Sequence, residues 1–136
     1  MKYGVLNENH LFVKTYHKGK KVVCKRIVLF VLEDKHARLL KKSHPQKKEV
    51  NRVGISATKK VGGAVERNRA KRIIRQAWRD LSKKYPFVTG KLIVISAREA
   101  CNGAKSTDVL KDLTYAASKL GLFAADKPKN ENSDKV

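Results

Sequence analysis

Apolar residues at positions 70, 73, 74, 77, 78, 81 and 85 follow one another in steps of 3, 1, 3, 1, 3 and 4. That spacing keeps a single stripe on one side of an α-helix. A helix is therefore predicted from Ala64 to Tyr85, roughly 30 Å long, and Pro86 lies just beyond its end. Residues 91–97 (KLIVISA) form a short, nearly continuous apolar run, the pattern of a strand covered on both faces. Residues 20–32 (KKVVCKRIVLFVL) are rich in Val, Ile, Leu and Phe and read as strand, either one or two joined at Lys25-Arg26. Residues 51–58 (NRVGISAT) read as another long strand, with Val53, Ile55 and Ala57 facing a core. At the front, residues 7–16 (NENHLFVKTY) read as a short helix capped by Asn7 or Asn9, with Leu11, Phe12 and Tyr16 on one side and Gly19 ending it. Residues 106–120 read as a final helix with Ser106 or Thr107 as cap, Asp108 in the first turn and Gly121 as stop. Helix, strands, helix, strand, helix is the order of an α+β sandwich.

The remaining segments are polar. Residues 33–50 (EDKHARLLKKSHPQKKEV) hold charge, histidine and Pro45 and read as a basic connecting loop. The end of the chain (DKPKNENSDKV) has no apolar periodicity and is expected to be disordered, which sets a single domain over residues 1–122 and a tail over 123–136. A chain of 136 residues suits one domain with one modest core.

Charge adds the first functional constraint. The formal net charge is +20, and a compact domain carrying it repels itself unless an anionic partner relieves the repulsion. Nucleic acid is the leading candidate and an anionic membrane surface the second. No apolar run approaches the roughly 18 residues of a membrane span, and the N-terminal MKYGVLNE lacks a signal-peptide core. Two cysteines, Cys24 and Cys101, argue against a disulfide scaffold, so a reducing, cytoplasmic setting is expected. Cys24, within a strand, reads as buried and inert, and Trp78 as core.

The long helix concentrates the charge. Asn68, Arg69, Arg72, Arg75, Gln76, Arg79 and Lys83 lie opposite Ile74 and Leu81; Lys71 flanks the boundary, and Arg67 falls near the apolar stripe in the first turn. Only Glu66 and Asp80 are acidic between residues 59 and 84, so the i,i+4 partners of an ordinary salt-bridged surface are missing. Unpaired guanidinium forks match phosphate oxygens. Catalytic constellations are not evident: the four histidines lack partners at metal-ligand spacing, no carboxylate pair stands at a recognisable spacing, and Gly62-Gly63 lacks the Lys-Ser/Thr ending of a phosphate loop.

The run from Lys59 through Arg75 resembles the signature of the bacterial ribonuclease P protein subunit: a Lys-Lys-x-Gly turn, then Arg-Asn-Arg-x-Lys-Arg-x-x-Arg. Lys59, Lys60, Gly62, Arg67, Asn68, Arg69, Lys71, Arg72 and Arg75 occupy those positions. The strand Arg52-Val53-Gly54-Ile55-Ser56 is similar, as is the pattern of Phe12, Tyr16 and Gly19. The 33–50 loop is longer and more basic than is usual there, and Lys25-Arg26 stands where a polar-Arg pair is often found.

The resemblance covers roughly residues 6–122 and implies an αβββαβα sandwich, its mixed sheet containing a left-handed βαβ crossover, the fold named for the second domain of a small-subunit ribosomal protein. It implies a subunit of an endoribonuclease that removes 5′ leaders from precursor tRNA, with catalysis and magnesium ions belonging to the RNA subunit and no catalytic or metal-binding residue in the protein. Lys59, Lys60, Arg67, Asn68, Arg69, Lys71, Arg72, Arg75 and Arg79 would meet the RNA subunit. Phe12, Tyr16, Lys18, Lys25, Phe30 and Ser56 would meet the precursor tRNA leader, since aromatic faces and cations are what hold single-stranded RNA. From the residues alone, Phe12 and Phe30 read first as ordinary core residues. The polypeptide alone is expected to be inactive, and neither membrane nor DNA is expected as a partner. The alternative reading is a non-enzymatic RNA-binding protein such as a ribosomal protein.

Overall fold

The computed structural model describes residues 3–6, 9–34, 51–88 and 90–123. Its elements are β1 (Tyr3–Val5), α1 (Asn9–Lys18), β2 (Lys20–Val23), β3 (Ile27–Glu33), β4 (Asn51–Ala57), α2 (Ala64–Lys84), β5 (Lys91–Ala97), a short 3-10 turn (Glu99–Cys101) and α3 (Ser106–Lys119). One five-stranded sheet has the order β1-β4-β5-β3-β2. β5 is central, parallel to β4 and antiparallel to β3, and β1 runs parallel to β4.

Strand alternation sorts the side chains into two layers. Val53, Ile93, Ile95, Ile27 and Leu29 pack against α2 and α3 in the larger cluster. Leu92 and Val94 point the other way, toward Leu6 and the α1 residues Leu11, Phe12 and Tyr16. β5 is thus buried on both faces, as its continuous apolar run predicts. The α2 stripe is buried at Ala70, Ile74, Ala77, Trp78 and Leu81, and Trp78 makes an edge contact with Phe87 at 5.0 Å.

The hand of the β4–α2–β5 crossover follows from one hydrogen bond. Val53 faces α2, and its carbonyl accepts the N–H of Leu6, just past β1. On an upward strand, an L-residue whose side chain faces the viewer points its own C=O to the right. Seen from α2, β1 therefore lies right of β4 and β5 lies left. The chain passes in front of the sheet toward its left neighbour, which makes the crossover left-handed, against the general preference.

Several local expectations need correction. Sequence reading missed β1, because three residues carry no periodicity and their partner lies about fifty positions away. α1 begins at Asn9 and ends at Lys18, two residues later than predicted at each end; residues 7 and 8 lie outside those described. α3 is capped at Lys105, neither at Ser106 nor at Thr107: the Asp108 carboxylate accepts the Lys105 N–H at 3.1 Å, so the acid anchors the helix start. Cys24 lies just beyond β2 and is half-buried, its thiol 3.5 Å from the Asp112 carbonyl. Phe123, assigned to the tail from sequence, bridges to Phe87. Of the 33–50 segment, Glu33 belongs to β3 and Asp34 is described; residues 35–50 and 124–136 lie outside the described residues.

Asp34 is 2% exposed and takes Arg52 in a two-pronged ion pair, Nε at 2.8 Å and Nη2 at 3.0 Å. Asn51 accepts the Lys91 N–H at 3.0 Å and donates to the Val88 carbonyl at 2.8 Å. These bonds pin the amino ends of β4 and β5, leaving the carboxyl ends to carry the loops described next.

Candidate nucleic-acid interface

Two surfaces hold the residues singled out from the sequence. The first lies between α1 and the sheet. Phe12 and Tyr16, four residues apart, share a face of α1. Their rings stand 6.3 Å apart, and Tyr16 meets Phe30 of β3 edge-on at 4.8 Å. All three rings are half-buried, packed at one edge and open at another. Gly54 makes room for Phe12: a Cβ there would stand 2.4 Å from the Phe12 ring. The Tyr16 hydroxyl pairs with Ser56 Oγ at 2.8 Å, and Ser56 donates to Ser96 Oγ at 3.1 Å.

Ser96 leads into a groove at the carboxyl ends of β4 and β5, about 460 Å³ in volume, also lined by Lys25, Thr58, Lys60 and Arg98. Lys25, predicted for the leader, and Lys60, predicted for the RNA subunit, thus share one groove. Lys18 does not join the group. It sits two residues past Tyr16, about 200° around α1, and lines a separate depression at the other end of the sheet with Lys20, Glu33 and Lys91. Phe12, Tyr16, Phe30 and Ser56 are brought together, and Lys25 lies at the end of their cleft.

The second surface is the outer face of α2. Thr58–Val61 form a turn in which Val61 donates to the Thr58 carbonyl and Gly62 to that of Lys59. Gly62 has φ +148°, a conformation that favours glycine. Glu66 Oε1 then accepts the Gly63 N–H at 2.9 Å and closes the helix start. Lys59, Lys60, Asn68, Arg72, Arg75 and Arg79 are exposed, and Arg67 and Lys71 are half-buried. Asn68, Lys71, Arg72 and Arg75 line a shallow depression of about 480 Å³. Arg69, placed on the solvent face by the helical wheel, is half-buried and reaches the Ala104 carbonyl at 3.4 Å, because the loop before α3 folds against that side of α2.

Sequence reading missed Arg98, Asn102 and Asp112. Arg98 Nη1 donates to the Cys24 carbonyl at 2.6 Å and Asn102 to the Val61 carbonyl at 3.1 Å. Arg98 carried a usable signal, a cation one residue beyond the carboxyl end of a buried strand; the others depend on contacts distant in sequence. Burial raises the Cys24 and Cys101 thiols above the ordinary thiol range. Among the described residues, no three His, Cys, Asp or Glu side chains converge as a metal site, and no helix is long and apolar enough to cross a membrane.

Comparison with known proteins covers the segments that carry both surfaces. The family model described as Ribonuclease P matches residues 2–121. The ribonuclease P protein component of Clostridium acetobutylicum is 34% identical over 131 residues, covering 93% of this chain and 97% of that protein. That of Bacillus cereus strain B4264 is 32% identical over 117 residues, covering 86% and 90%. The fold is similar to the Staphylococcus aureus RNase P protein (TM-score 0.69, 24% identity, 90% of this chain and 100% of that one). It is also similar to the RNase P protein from Thermotoga maritima (TM-score 0.62, 21% identity, 82% and 92%). A match spanning nearly every described element, with the basic turn and arginine helix inside it, leaves one assignment: the chain belongs to the ribonuclease P protein component family.

Proposed function

We propose that this chain is the protein subunit of a ribonucleoprotein endonuclease that removes the 5′ leader from precursor tRNA, working in the cytoplasm. The outer face of α2 docks on the RNA subunit and the α1–sheet cleft holds the leader. One observation carries the reading: a single domain presents an aromatic cleft and a separate guanidinium face, and the groove beyond the cleft is lined by Lys25 and by Lys60 of the turn that leads into α2. Stacking faces beside cations suit single-stranded RNA, and planar cations without acidic neighbours suit the phosphates of a folded one. Family membership favours this over a ribosomal protein.

Among the described residues, Asp34, Glu66 and Asp108 are spent on structural bonds and no three His, Cys, Asp or Glu side chains converge, so these residues do not offer a seat for a catalytic magnesium pair. In this reading magnesium is held by the RNA subunit, which performs the hydrolysis, while the protein positions and neutralises.

The test is reconstitution with ribonuclease P RNA, comparing affinity for precursor tRNA and for mature tRNA. Alanine at Phe12, Tyr16 or Phe30 is expected to cost about 1–3 kcal/mol of precursor binding at a stacking position, with mature tRNA unaffected. Equal losses on both substrates, or no loss by folded variants, would refute the leader assignment. Cleavage by the protein free of RNA would refute the assignment of catalysis.

A further inference from the structure

Lys25 and Arg26 are adjacent cations on the β2–β3 turn, yet the structure treats them differently. Arg26 is held from α3: its N–H donates to Asp112 Oδ2 at 3.0 Å, and its guanidinium Nη1 reaches Asp112 Oδ1 at 3.4 Å. The other side of the turn is held from the end of β5. The Arg98 N–H donates to the Arg26 carbonyl at 2.9 Å, and its side chain donates to the Cys24 carbonyl at 2.6 Å. The Cys24 thiol also points at the Asp112 carbonyl. Both residues flanking Lys25 are thereby clamped, while Lys25 is exposed and lines the groove beside Lys60 and Ser96.

We infer that Asp112 is a positioning residue for RNA: acting through Arg26, it fixes the β2–β3 turn so that Lys25 projects into the groove at the end of the aromatic cleft. This rests on the leader reading proposed above and deepens it. Arg26 is consumed by the clamp, and Lys25 is the cation presented to a phosphate of the single strand. Asp112 lies on the opposite layer of the molecule from α1 and is an acid in a chain that binds a polyanion. Its presence at the turn follows from what it holds in place.

The sign of its effect separates this role from simple electrostatics. Removing a carboxylate from a protein of net charge +20 should strengthen RNA binding if only the field matters. Positioning requires the reverse. The experiment measures precursor and mature tRNA affinities of the particle reconstituted with wild type, Asp112→Ala, Lys25→Ala and the double variant, with thermal melts of each protein. Asp112→Ala is expected to lower precursor affinity by about three- to tenfold and leave mature tRNA unchanged. In the Lys25→Ala background the same substitution should have no further effect, because Asp112 acts through that side chain. Should Asp112→Ala not fold, Asp112→Leu keeps side-chain bulk while removing both acceptor oxygens, and the same criteria apply. Unchanged or tighter precursor binding, or an effect that persists without Lys25, overturns the role of Asp112 and leaves the leader reading standing. A wild-type particle that binds both tRNAs equally overturns the leader reading and this role with it.

Discussion

The seat of Phe12 can be tested without deleting any aromatic ring. Gly54→Ala adds one methyl group in the middle of β4, where the backbone is ordinary and the new Cβ would stand 2.4 Å from Phe12 Cζ and 2.9 Å from its Cε1. Carbon atoms in contact sit about 3.5–4.0 Å apart, so the ring must move by about 1 Å or leave its rotamer. Overpacking of this kind costs about 1–3 kcal/mol. Replacing a strand glycine returns about 0.5–1 kcal/mol, leaving a net destabilisation of about 1 kcal/mol, or a few degrees in the melting temperature of a domain this size. The decisive measurement is a double-mutant cycle by denaturant unfolding. In a Phe12→Ala background both ring contacts are gone and the tight contact that remains is to the Leu6 carbonyl, at 3.1 Å, so Gly54→Ala should become close to neutral. The coupling between the two sites is therefore expected at about 1–2 kcal/mol. In the reconstituted particle, Gly54→Ala should also weaken precursor tRNA binding selectively. Equal destabilisation in both backgrounds, or none in either, would refute the placement of Phe12 over β4.

Two further outcomes are expected. Arg72→Ala and Arg75→Ala should leave the melting temperature almost unchanged, within about 0.5 kcal/mol, while each lost contact flattens the log–log salt dependence of RNA-subunit binding by about 0.9; Arg69→Ala should also cost stability, because its guanidinium bonds the Ala104 carbonyl. Cys101 is fully buried and its thiol is held above the usual range by desolvation, so it should resist alkylation at neutral pH in the native protein and react promptly in denaturant; fast native labelling would contradict the packing of the 3-10 turn.

The features visible in the sequence are those set by local period. The stripe from Ala70 to Leu81, the doubly buried run of β5 and the basic turn into α2 each follow from neighbours within a few residues, and each is found in place. Phe12 and Tyr16 are four apart on one helix, so their shared face was legible too. Lys18 was grouped with them by resemblance, but helical geometry turns it to another groove. What stayed hidden depends on register between distant segments: β1 beside β4, Arg69 against the loop before α3, and the clamp joining Arg26 to Asp112 across 86 positions. A lone aspartate on an amphipathic helix reads as solvated until the fold puts a guanidinium beside it.

The left-handed crossover puts α2 on the face opposite α1, while its departure from the carboxyl end of β4 starts α2 at the same end of the sheet as the groove beyond the aromatic cleft. Only the residues between Ala57 and Ala64 separate β4 from α2. On the proposed reading, that short connection makes the domain a jig: it sets how far apart, and at what rotation, the RNA subunit and the leader are held. The buried stripe from Ala70 to Leu81 fixes the rotation of α2, so one residue added just before Arg67 would leave the arginine face seated and displace the Lys59–Lys60 turn against it, by about 100° and about 1.5 Å if taken up as helix. On that reading, the choice of phosphodiester bond would then depend on the length of this connection, separately from the affinity of either surface.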